Sequence, residues 1–399
     1  MKQKDCDIII IGSGLIGIVA AYSLSLLGLK VVIVDQKQII LSGSLKNQSF
    51  EKDTRTTAIA EGSKIYLEEI KLWESLKKFA EPIKNIKVID RNPRNKIDFK
   101  NNSKGNNLGY IVKNSQFKSV VINKIRQIKN LKILEKTTLK KIYYEDKKII
   151  CDFNKFLIKA NLVIAADGKN STVRSLMSTP VYKKIYKENA LVVNFQHKAN
   201  HNNCAYEFFY SNGPLAVLPM KKKSNFQSSL IWSNKKKFIG NLINSDKDTL
   251  IQVLHEKISE YLGEIVAINS KQMFPLSAHI NKKFFEEKLI YIGDAAHSIH
   301  PIAGQGWNLG LRDVGKLHVL TRQYVNLGLD IGTERFCKLY HNDCYYDSYR
   351  LFQITDKLNS IFMSESKILS SFRNFGFGII NKKDNLKNKI TNFAMGLNL

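Results

Sequence analysis

The sequence is poor in acidic residues and has no patterned cysteines. It contains 35 Asp and Glu against 62 Lys and Arg, which gives a formal net charge of +27. The five cysteines, Cys6, Cys151, Cys204, Cys337 and Cys344, are odd in number and widely scattered, without a CxxC pair. This pattern argues against a disulfide framework or a zinc knuckle, and it favours reduced thiols in a cytosolic setting.

No helix-turn-helix, finger or aromatic RNA-binding signature accompanies the positive charge, so a nucleic-acid partner is not expected. Lysine recurs along most of the chain beside many Ile and Asn residues. An AT-rich genome imposes this bias, and a purely compositional origin of the charge is the favoured interpretation. An anionic membrane surface is the alternative, because a lysine near anionic lipid gains about 1 kcal/mol.

Residues 8–34 form the longest apolar stretch and carry one charge, Lys30, so they resemble a membrane span or a signal peptide. Their pattern predicts otherwise. A β-branched run, 8–11, ends at a glycine, a helix-forming stretch follows, and a second β-branched run occupies 31–34. The pattern predicts a strand, a helix and a strand that are buried on both faces of a sheet.

The turn between the first predicted strand and the helix carries a GxGxxG pattern, Gly12-Ser13-Gly14-Leu15-Ile16-Gly17. Its first glycine permits a tight turn, the second lets a pyrophosphate approach the backbone, and the third allows close packing of helix and strand. Asp35 closes the second strand and is placed to accept hydrogen bonds from an adenosine ribose. The unit therefore predicts dinucleotide binding, without separating NAD from FAD.

Two further strand-turn-helix motifs follow along the chain. NLVIAADGKNSTVR (161–174) has a turn at Asp167-Gly168 before a short helix, for which Ser171 and Arg174 are predicted to be capping and packing groups. GDAAHSIHPIAGQGWNLG (293–310) follows a strand at 289–292 and precedes a helix from about Asn308.

His297 and His300 in the last motif allow three interpretations: metal binding, structural hydrogen bonding and proton handling. A hydrolytic zinc site would need a third ligand and usually a helical HExxH, and neither accompanies this strand and Pro-Gly turn. We therefore predict no metal site, and we favour structural hydrogen bonding.

The chain carries three motifs in a fixed order: GxGxxG, ADGxxSxxR and GDAAHxxHPxAGQGxNxGxxD. With these motifs it resembles the FAD-dependent aromatic hydroxylases related to p-hydroxybenzoate hydroxylase, and most closely the ubiquinone-biosynthesis hydroxylases. The resemblance runs from about residue 5 to at least 315. Shorter stretches that fit it are 53–63 with Trp73, 108–110, 213–219 and 274–276. One departure is Asp35, where Glu is commoner in FAD folds, although either carboxylate can accept ribose hydroxyls.

The resemblance implies an α/β fold with α+β insertions. An FAD-binding Rossmann-like domain of the glutathione-reductase type would comprise 1–75, 100–182 and 283–330. An inserted mixed β-sheet domain for the substrate would comprise 76–99 and 183–282, and 331–399 would form a helical C-terminal segment. The middle segment, roughly 185–280, would supply the apolar wall of the active site.

The resemblance also implies roles for single residues. The adenosine and pyrophosphate of FAD would contact Gly12, Gly14, Gly17, Asp35 and Arg55, with Asn114 as a further contact. Gly293 and Asp294 would hold the ribityl chain, and Asp167 and Gly168 would lie where FAD meets the nicotinamide donor. The flavin ring would be lined by Pro301, Gly304, Gln305, Gly306 and Asn308, without an obligate acid or base.

The implied reaction is hydroxylation of the aromatic ring of a prenylated phenol in ubiquinone biosynthesis. NADH or NADPH reduces the flavin, and O2 then gives a flavin hydroperoxide that delivers an electrophilic OH. An apolar epoxidase-type substrate and a flavin-binding membrane-surface assembly protein without turnover are the alternatives. A cytoplasmic location is expected, with peripheral attachment to the inner face of the membrane and contacts with other ubiquinone-pathway enzymes as further candidates.

Overall fold

The computed structural model describes residues 2–38, 53–90, 95–100, 107–221, 226–363 and 366–397. Its strands are β1 (Lys2–Ile11), β2 (Val31–Val34), β3 (Thr56–Ala60), β4 (Glu81–Ile83), β5 (Asn85–Asp90), β6 (Lys96–Lys100), β7 (Gly109–Lys113), β8 (Leu131–Leu134), β9 (Lys141–Glu145), β10 (Lys148–Asp152), β11 (Phe156–Ala165), β12 (Val181–His197), β13 (Cys204–Tyr210), β14 (Gly213–Met220), β15 (Phe226–Lys235), β16 (Ile265–Asn281), β17 (Phe285–Glu286), β18 (Leu289–Tyr291) and β19 (His297–Ser298). Its α-helices are α1 (Leu15–Ser25), α2 (Glu61–Glu69), α3 (Trp73–Leu76), α4 (Asn114–Ile125), α5 (Thr172–Leu176), α6 (Lys236–Asn244), α7 (Lys247–Leu262), α8 (Gln305–Asn326), α9 (Glu334–Met363), α10 (Lys367–Lys382) and α11 (Asp384–Ala394).

The apolar N-terminal stretch is the predicted strand-helix-strand unit. β1 and β2 are parallel, with Ile8 beside Val31, and α1 connects them. Ile18 and Leu24 of α1 are fully buried, as is Ile8. Each such side chain contributes roughly 1.5–3 kcal/mol when it leaves water. The stretch is apolar because both faces of the sheet are covered.

A parallel sheet forms the centre of this part of the molecule. Its strands run in the order β18-β11-β1-β2-β8, while β17 and the β9–β10 hairpin add antiparallel edges. Helix α1 packs against both α4 and α8. The turns that follow β18, β11 and β1 therefore meet side by side at the carboxyl edge of the sheet. The expected Rossmann-like fold is confirmed.

A second, mixed sheet has the order β19-β16-β12-β15-β14-β13-β5-β6, with β13 and β5 parallel. One face packs on α6 and α7 through side chains that include Phe195, Trp232 and Leu254. This packing leaves the other face of β13, β14 and β5 free to line a cavity.

Two strands lie in one predicted domain but pair with strands of the other. β4 lies in 76–99 but pairs with β7, and together with β3 these strands form a small third sheet that the sequence did not predict. β19 lies in 283–330 but pairs with β16 of the mixed sheet. Such short strands have no alternating pattern of their own, and tertiary proximity decides their partners.

Helix α8 begins at Gln305, three residues before the predicted start. A 3-10 turn over Ile302–Gly304 ends at Gly304, whose left-handed backbone (φ 60°) redirects the chain into the helix. Asn308 was expected near the helix start, but it lies within the helix and is almost fully buried.

The C-terminal segment is helical, as expected, and it closes back onto the N-terminal half. The amide of Gly62 donates a 2.8 Å hydrogen bond to the carbonyl of Met395. A Cβ at Gly62 would lie only 2.5 Å from the carbonyl oxygen of Gly396, so the two backbones meet without room for a side chain. Within the described ranges, no helix is both long and apolar enough to span a bilayer.

The glycine turn gives a stability prediction. A Cβ at Gly17 would lie 2.1 Å from the Gly12 carbonyl oxygen. We expect Gly17→Ala to lower the thermal midpoint, because such overpacking costs about 1–3 kcal/mol or more. Gly240→Ala is the control, since its Cβ would meet nothing within 4 Å in helix α6 and alanine favours a helix. Equal midpoints for Gly17→Ala and wild type, measured by differential scanning fluorimetry, would contradict the packing argument.

Candidate active site

A deep cleft of about 600 Å³ opens beside the glycine-rich turn. Gly12 has φ 107°, and a Cβ there would lie 2.4 Å from the carbonyl oxygen of Ala166, so only glycine fits this crossing of the first and second motifs. Gly14 lines the cleft and precedes α1, whose first turn has neither a side-chain cap nor an acid. The positive end of this helix is therefore available to an anionic group.

Asp35 lines the cleft and also holds its floor in place. Its carboxylate accepts hydrogen bonds from the Ser13 amide (2.7 Å) and hydroxyl (2.6 Å), and from the Lys37 amide (2.8 Å). A carboxylate offers about four acceptor positions, so one is left for a ribose hydroxyl. The structure adds a positioning role, through Ser13, to the predicted binding role.

Arg55 reaches the cleft as part of a bidentate ion pair. Its Nε and Nη2 each lie 2.8 Å from an oxygen of Asp53, and its guanidinium lies over the Phe274 ring at 5.3 Å. The hydrogen bond to Asp53 raises the pKa of Arg55, so the cation is permanent. Asp53 also lines the cleft, although the sequence assigned it no separate role.

Asn114 does not line the cleft. Its side-chain oxygen accepts a 2.6 Å hydrogen bond from the Thr57 hydroxyl, and its amide lies 3.4 Å from Asp53. Asn114 therefore supports the Asp53–Arg55 pair, and its direct contact with the cofactor stays a prediction.

Asp167 and Gly168 line the same cleft from the second motif. The Val173 amide donates to Oδ2 of Asp167 at 3.0 Å, whereas Oδ1 has no partner among the described residues. Burial raises the pKa of Asp167. Ser171 caps α5 as predicted, by accepting a hydrogen bond from the Arg174 amide.

The Arg174 side chain links the second motif to the third. It donates to the carbonyls of Lys169 (2.6 Å) and Ala295 (3.1 Å). Its guanidinium also lies 3.1 Å from Nε2 of His279 in β16, so its hydrogen bonds go to protein groups and the prediction that Arg174 is a packing group is confirmed.

The turn of the third motif is held by Asp313. One oxygen of this buried carboxylate accepts both the Gly293 amide at 2.9 Å and a 2.7 Å hydrogen bond from His297 Nε2. His297 thus has the structural role that was favoured for both histidines. His300 does not, since neither ring nitrogen has a hydrogen bond within the described part of the chain, and Nε2 lies 3.8 Å from Glu188.

Asp294 follows Gly293 but makes no hydrogen bond within this buried network. Its side chain is exposed and makes no hydrogen bond to the residues that the structure describes. Surrounding protein nevertheless desolvates the carboxyl and raises its pKa, against the opposing effects of His297, Lys169 and Arg55. A carboxylate near the cleft-lining Arg55 and without a partner is a suitable anchor for hydroxyl groups of a ligand.

A second space, here called the apolar cavity, has a volume of about 330 Å³. Pro301, Gly304 and Gln305 of the third motif line one side, together with Asn308. Gly306 is not among its lining residues, although it was predicted to contact the flavin ring.

The Asn308 side chain is already saturated by hydrogen bonds. Its oxygen accepts from the Ala60 amide and the Ser63 hydroxyl, and its amide donates to the carbonyls of Ala58 and Gly304. It therefore joins α8 to β3, and any contact with a flavin ring falls to its neighbours.

The middle segment supplies part of the cavity wall, as expected, through side chains of β13, β14 and β15. The predicted substrate domain also included 76–99, which holds β5 and most of β6, whereas a contribution from the C-terminal helices was not predicted. Strands β5 and β6 contribute, and so do α9, α10 and α11, with Phe362, Phe377 and Ile390 as examples. One acid, Glu207 of β13, also lines the cavity.

These features fit FAD. The cleft offers a helix N-terminus and open backbone at Gly14 for a pyrophosphate, and an acid at Asp35 for a ribose. The Asp294 carboxylate and the Oδ1 atom of Asp167 accept no hydrogen bond from the described residues. Within those residues, no group of three or more His, Cys, Asp or Glu could hold a metal ion. The site is that of an FAD-dependent oxidoreductase.

Comparison with known proteins agrees with this class. The FAD binding domain family matches residues 5–321, and the chain belongs to this family. It is 27% identical to the ubiquinone hydroxylase UbiL of Rhodospirillum rubrum, with coverage of 99% of this chain and 90% of the relative. It is 26% identical to the mitochondrial ubiquinone biosynthesis monooxygenase COQ6 of Dictyostelium discoideum, covering 99% and 92%.

Solved structures share the fold. The p-nitrophenol 4-monooxygenase PnpA from Pseudomonas putida superposes with a TM-score of 0.78 at 15% identity, over 100% of this chain and 99% of that one. PqsL of P. aeruginosa in complex with 2-aminobenzoylacetate gives 0.78 at 17% identity, over 92% and 100%. The chain is an FAD-dependent monooxygenase.

Asp294 gives a prediction for cofactor binding. We expect Asp294→Asn to weaken FAD binding about 10- to 100-fold, because a hydrogen bond to a charged acceptor contributes about 1.5–3 kcal/mol. In the wild type, affinity should also fall as the pH is lowered through the raised pKa of Asp294, since protonation removes the anionic acceptor. The asparagine variant should lack this pH dependence.

Flavin fluorescence quenching across a pH series measures both effects. Glu256→Ala, which removes an exposed acid on α7, is the control and should bind FAD as the wild type does. Unchanged affinity in Asp294→Asn would show that this acid does not hold the cofactor.

Proposed function

We propose that the chain hydroxylates the aromatic ring of a prenylated phenol in ubiquinone biosynthesis, with NADH or NADPH and O2 as co-substrates. The observation that carries the proposal is the apolar cavity, which Pro301 and Gly304 of the cofactor motif share with the mixed sheet and the C-terminal helices. Relatives named as ubiquinone hydroxylases, aligned over nearly the whole chain, support this substrate class.

The cavity suits an isoprenoid phenol in shape and chemistry. Its wall beyond the third motif is almost entirely hydrocarbon, from Ile86 and Phe99 on the strands to Phe362 and Ile380 on the helices. Each CH2 group that the substrate buries contributes about 0.8 kcal/mol. A ring placed near Pro301 would leave its prenyl chain to pack along these helices.

Bound FAD supplies the redox and oxygen chemistry, and the protein binds, orients and excludes water. Asp35 and Ser13 fix the adenosine end of the cleft, and Arg55 adds a permanent positive charge. The N-terminus of α8 at Gln305 presents backbone N–H groups and a positive dipole end, which favour negative charge on the neighbouring ring. The enclosed hydrocarbon wall keeps water from the reacting carbon.

The nicotinamide donor is proposed to dock transiently. The sequence carries GxGxxG once, at Gly12, so a second dinucleotide-binding unit for the donor is not indicated. Asp167 and Gly168 lie on the wall of the cleft and are the proposed meeting point of donor and flavin.

Turnover with defined substrates tests this function. We expect FAD-loaded protein to oxidise NADH or NADPH faster when 2-geranylphenol is added, with a product one oxygen atom heavier. Phenol itself is the control and should show a KM at least tenfold higher, because it buries no hydrocarbon chain. Mass spectrometry of the product distinguishes ring hydroxylation from epoxidation of the chain.

Two results would overturn the proposal. Protein that stays colourless after reconstitution would exclude a flavoenzyme. Full flavin loading without stimulated NAD(P)H oxidation by any prenylphenol would favour a flavin-binding assembly protein. Complementation of strains that each lack one ubiquinone hydroxylation step would identify the ring carbon.

Peripheral membrane contact from the cytoplasm is proposed as the route of substrate entry. The net charge of +27 would attract an anionic surface. We expect co-sedimentation with phosphatidylglycerol-containing vesicles that weakens as salt rises from 0.05 to 0.5 M, because screening shortens the range of the attraction. Phosphatidylcholine vesicles are the control, and salt-insensitive binding or none would assign the charge to compositional bias.

A further inference from the structure

Glu207 places a carboxylic acid in the wall of an otherwise apolar cavity. The residues on either side of it across the sheet are Ala216 of β14 and Val88 of β5, and both also line the cavity. Among the described lining residues, Glu207 is the one with an acidic or basic side chain. A carboxyl group in such surroundings is costly to keep unless it serves a ligand.

Strand alternation explains why the acid faces inward. Side chains of a strand point alternately to its two faces. In β13, Tyr206 and Phe208 belong to the core against α7, although Tyr206 also borders the cavity, whereas Ala205, Glu207 and Phe209 line the cavity and do not belong to that core. The cavity face would be continuous hydrocarbon here if position 207 were apolar.

Glu207 has no partner among the described residues. No hydrogen bond or ion pair joins its carboxyl to any residue in the part of the chain that the structure describes. The two nearby polar groups of the third motif are engaged elsewhere, since Asn308 is saturated and Gln305 donates to the Ala394 carbonyl at 3.2 Å. Burial raises the pKa of Glu207 to about 8. This pKa lies near neutral pH, where a general base is most effective.

We propose that Glu207 binds the phenol hydroxyl of the substrate and accepts its proton during ring hydroxylation. The inference rests on the proposed function, because it takes a phenol with an apolar chain as the occupant of the cavity. In an apolar wall, a phenol hydroxyl has no other acidic or basic side chain to meet among the described lining residues. A phenol would also satisfy this carboxyl group, for which the described residues supply no hydrogen-bond partner.

The proposed step balances in protons and electrons. The phenol O–H bond breaks and an O–H bond forms on Glu207, which leaves an electron pair on the substrate oxygen and raises the electron density of the ring. The ring carbon then bonds to one oxygen atom of O2 as the O–O bond breaks, and the other oxygen atom leaves as water, with two electrons supplied by NAD(P)H and protons supplied by NAD(P)H and solvent. That carbon loses its hydrogen to water as a proton, and the proton on Glu207 returns to the substrate oxygen.

Glu207→Gln removes the base and keeps the shape. We expect kcat/KM with 2-geranylphenol to fall by about 100-fold or more, because a positioned general base contributes roughly 10²–10⁴-fold. Flavin content should stay equal to that of the wild type. The thermal midpoint should be equal or higher, since a half-buried acid without a partner among the described residues disfavours the folded state. Glu256→Gln, an exposed acid on α7, is the matched control.

The pH profile separates a base from a structural acid. In the wild type, kcat/KM should rise with pH through the pKa of Glu207, about 8, because only the carboxylate accepts a proton. Glu207→Gln should lose this rise, and Glu207→Asp should restore it in part. Equal activity and an unchanged profile in Glu207→Gln, alongside an active wild type, would overturn the assignment.

A binding measurement distinguishes failure of this inference from failure of the proposed function. Wild-type holoprotein should bind 2-geranylphenol at least tenfold more tightly than its methyl ether, because only the phenol can donate to Glu207. Glu207→Leu, whose side chain cannot accept a hydrogen bond, should lose this preference, whereas Glu207→Gln keeps an acceptor oxygen and should retain part of it. If the wild type prefers the phenol to its methyl ether but shows no turnover, the role of Glu207 is supported and the proposed reaction is contradicted. If the wild type binds both compounds equally, the role of Glu207 is overturned, whether or not turnover is observed.

Discussion

The site depends on one constraint, the hydrogen-bonded alignment of adjacent parallel strands. The Gly12 amide donates to the carbonyl of Val34, the Ala166 amide to that of Ile11, and the Ile292 amide to that of Ala165. These bonds place the ends of β1, β11 and β18 side by side, so motifs that lie over 120 residues apart in sequence share one edge. A shift in the hydrogen-bonding register of one strand would move its motif away from the other two and separate the residues that line the cleft.

Polar side chains then fix the turns that follow the strands. Asp35 holds Ser13, Arg174 joins the second turn to the third, and Asp313 holds Gly293. Each bond is made to or from the backbone, which matters because a turn that must approach a ligand closely can carry few side chains of its own. The carboxyl groups of Asp294 and Glu207, which have no hydrogen-bond partner among the described residues, contrast with these engaged side chains.

Local signals in the sequence predicted what is local in the structure. The apolar runs and glycine spacing located the strand-helix-strand unit, and Ser171 was identified as a cap, because these features arise within a few residues. The pairing of β4 with β7, the C-terminal wall of the cavity and the saturation of Asn308 arise from contacts between distant segments. His300 shows the same limit, since its neighbours come from β12. Glu207 could have been singled out, because an acid between Tyr206 and Phe208 interrupts an apolar strand on one face.

The bond between Gly62 and Met395 has a consequence for biosynthesis. The residues that line the cleft lie between 11 and 172, whereas the apolar cavity needs Ile390 and Met395. A ribosome therefore delivers the lining of the cofactor cleft long before it delivers the last wall of the substrate chamber. The nascent protein would expose hydrocarbon strands on β5, β13 and β14 until α11 emerges, which makes this interval the natural one for chaperone contact.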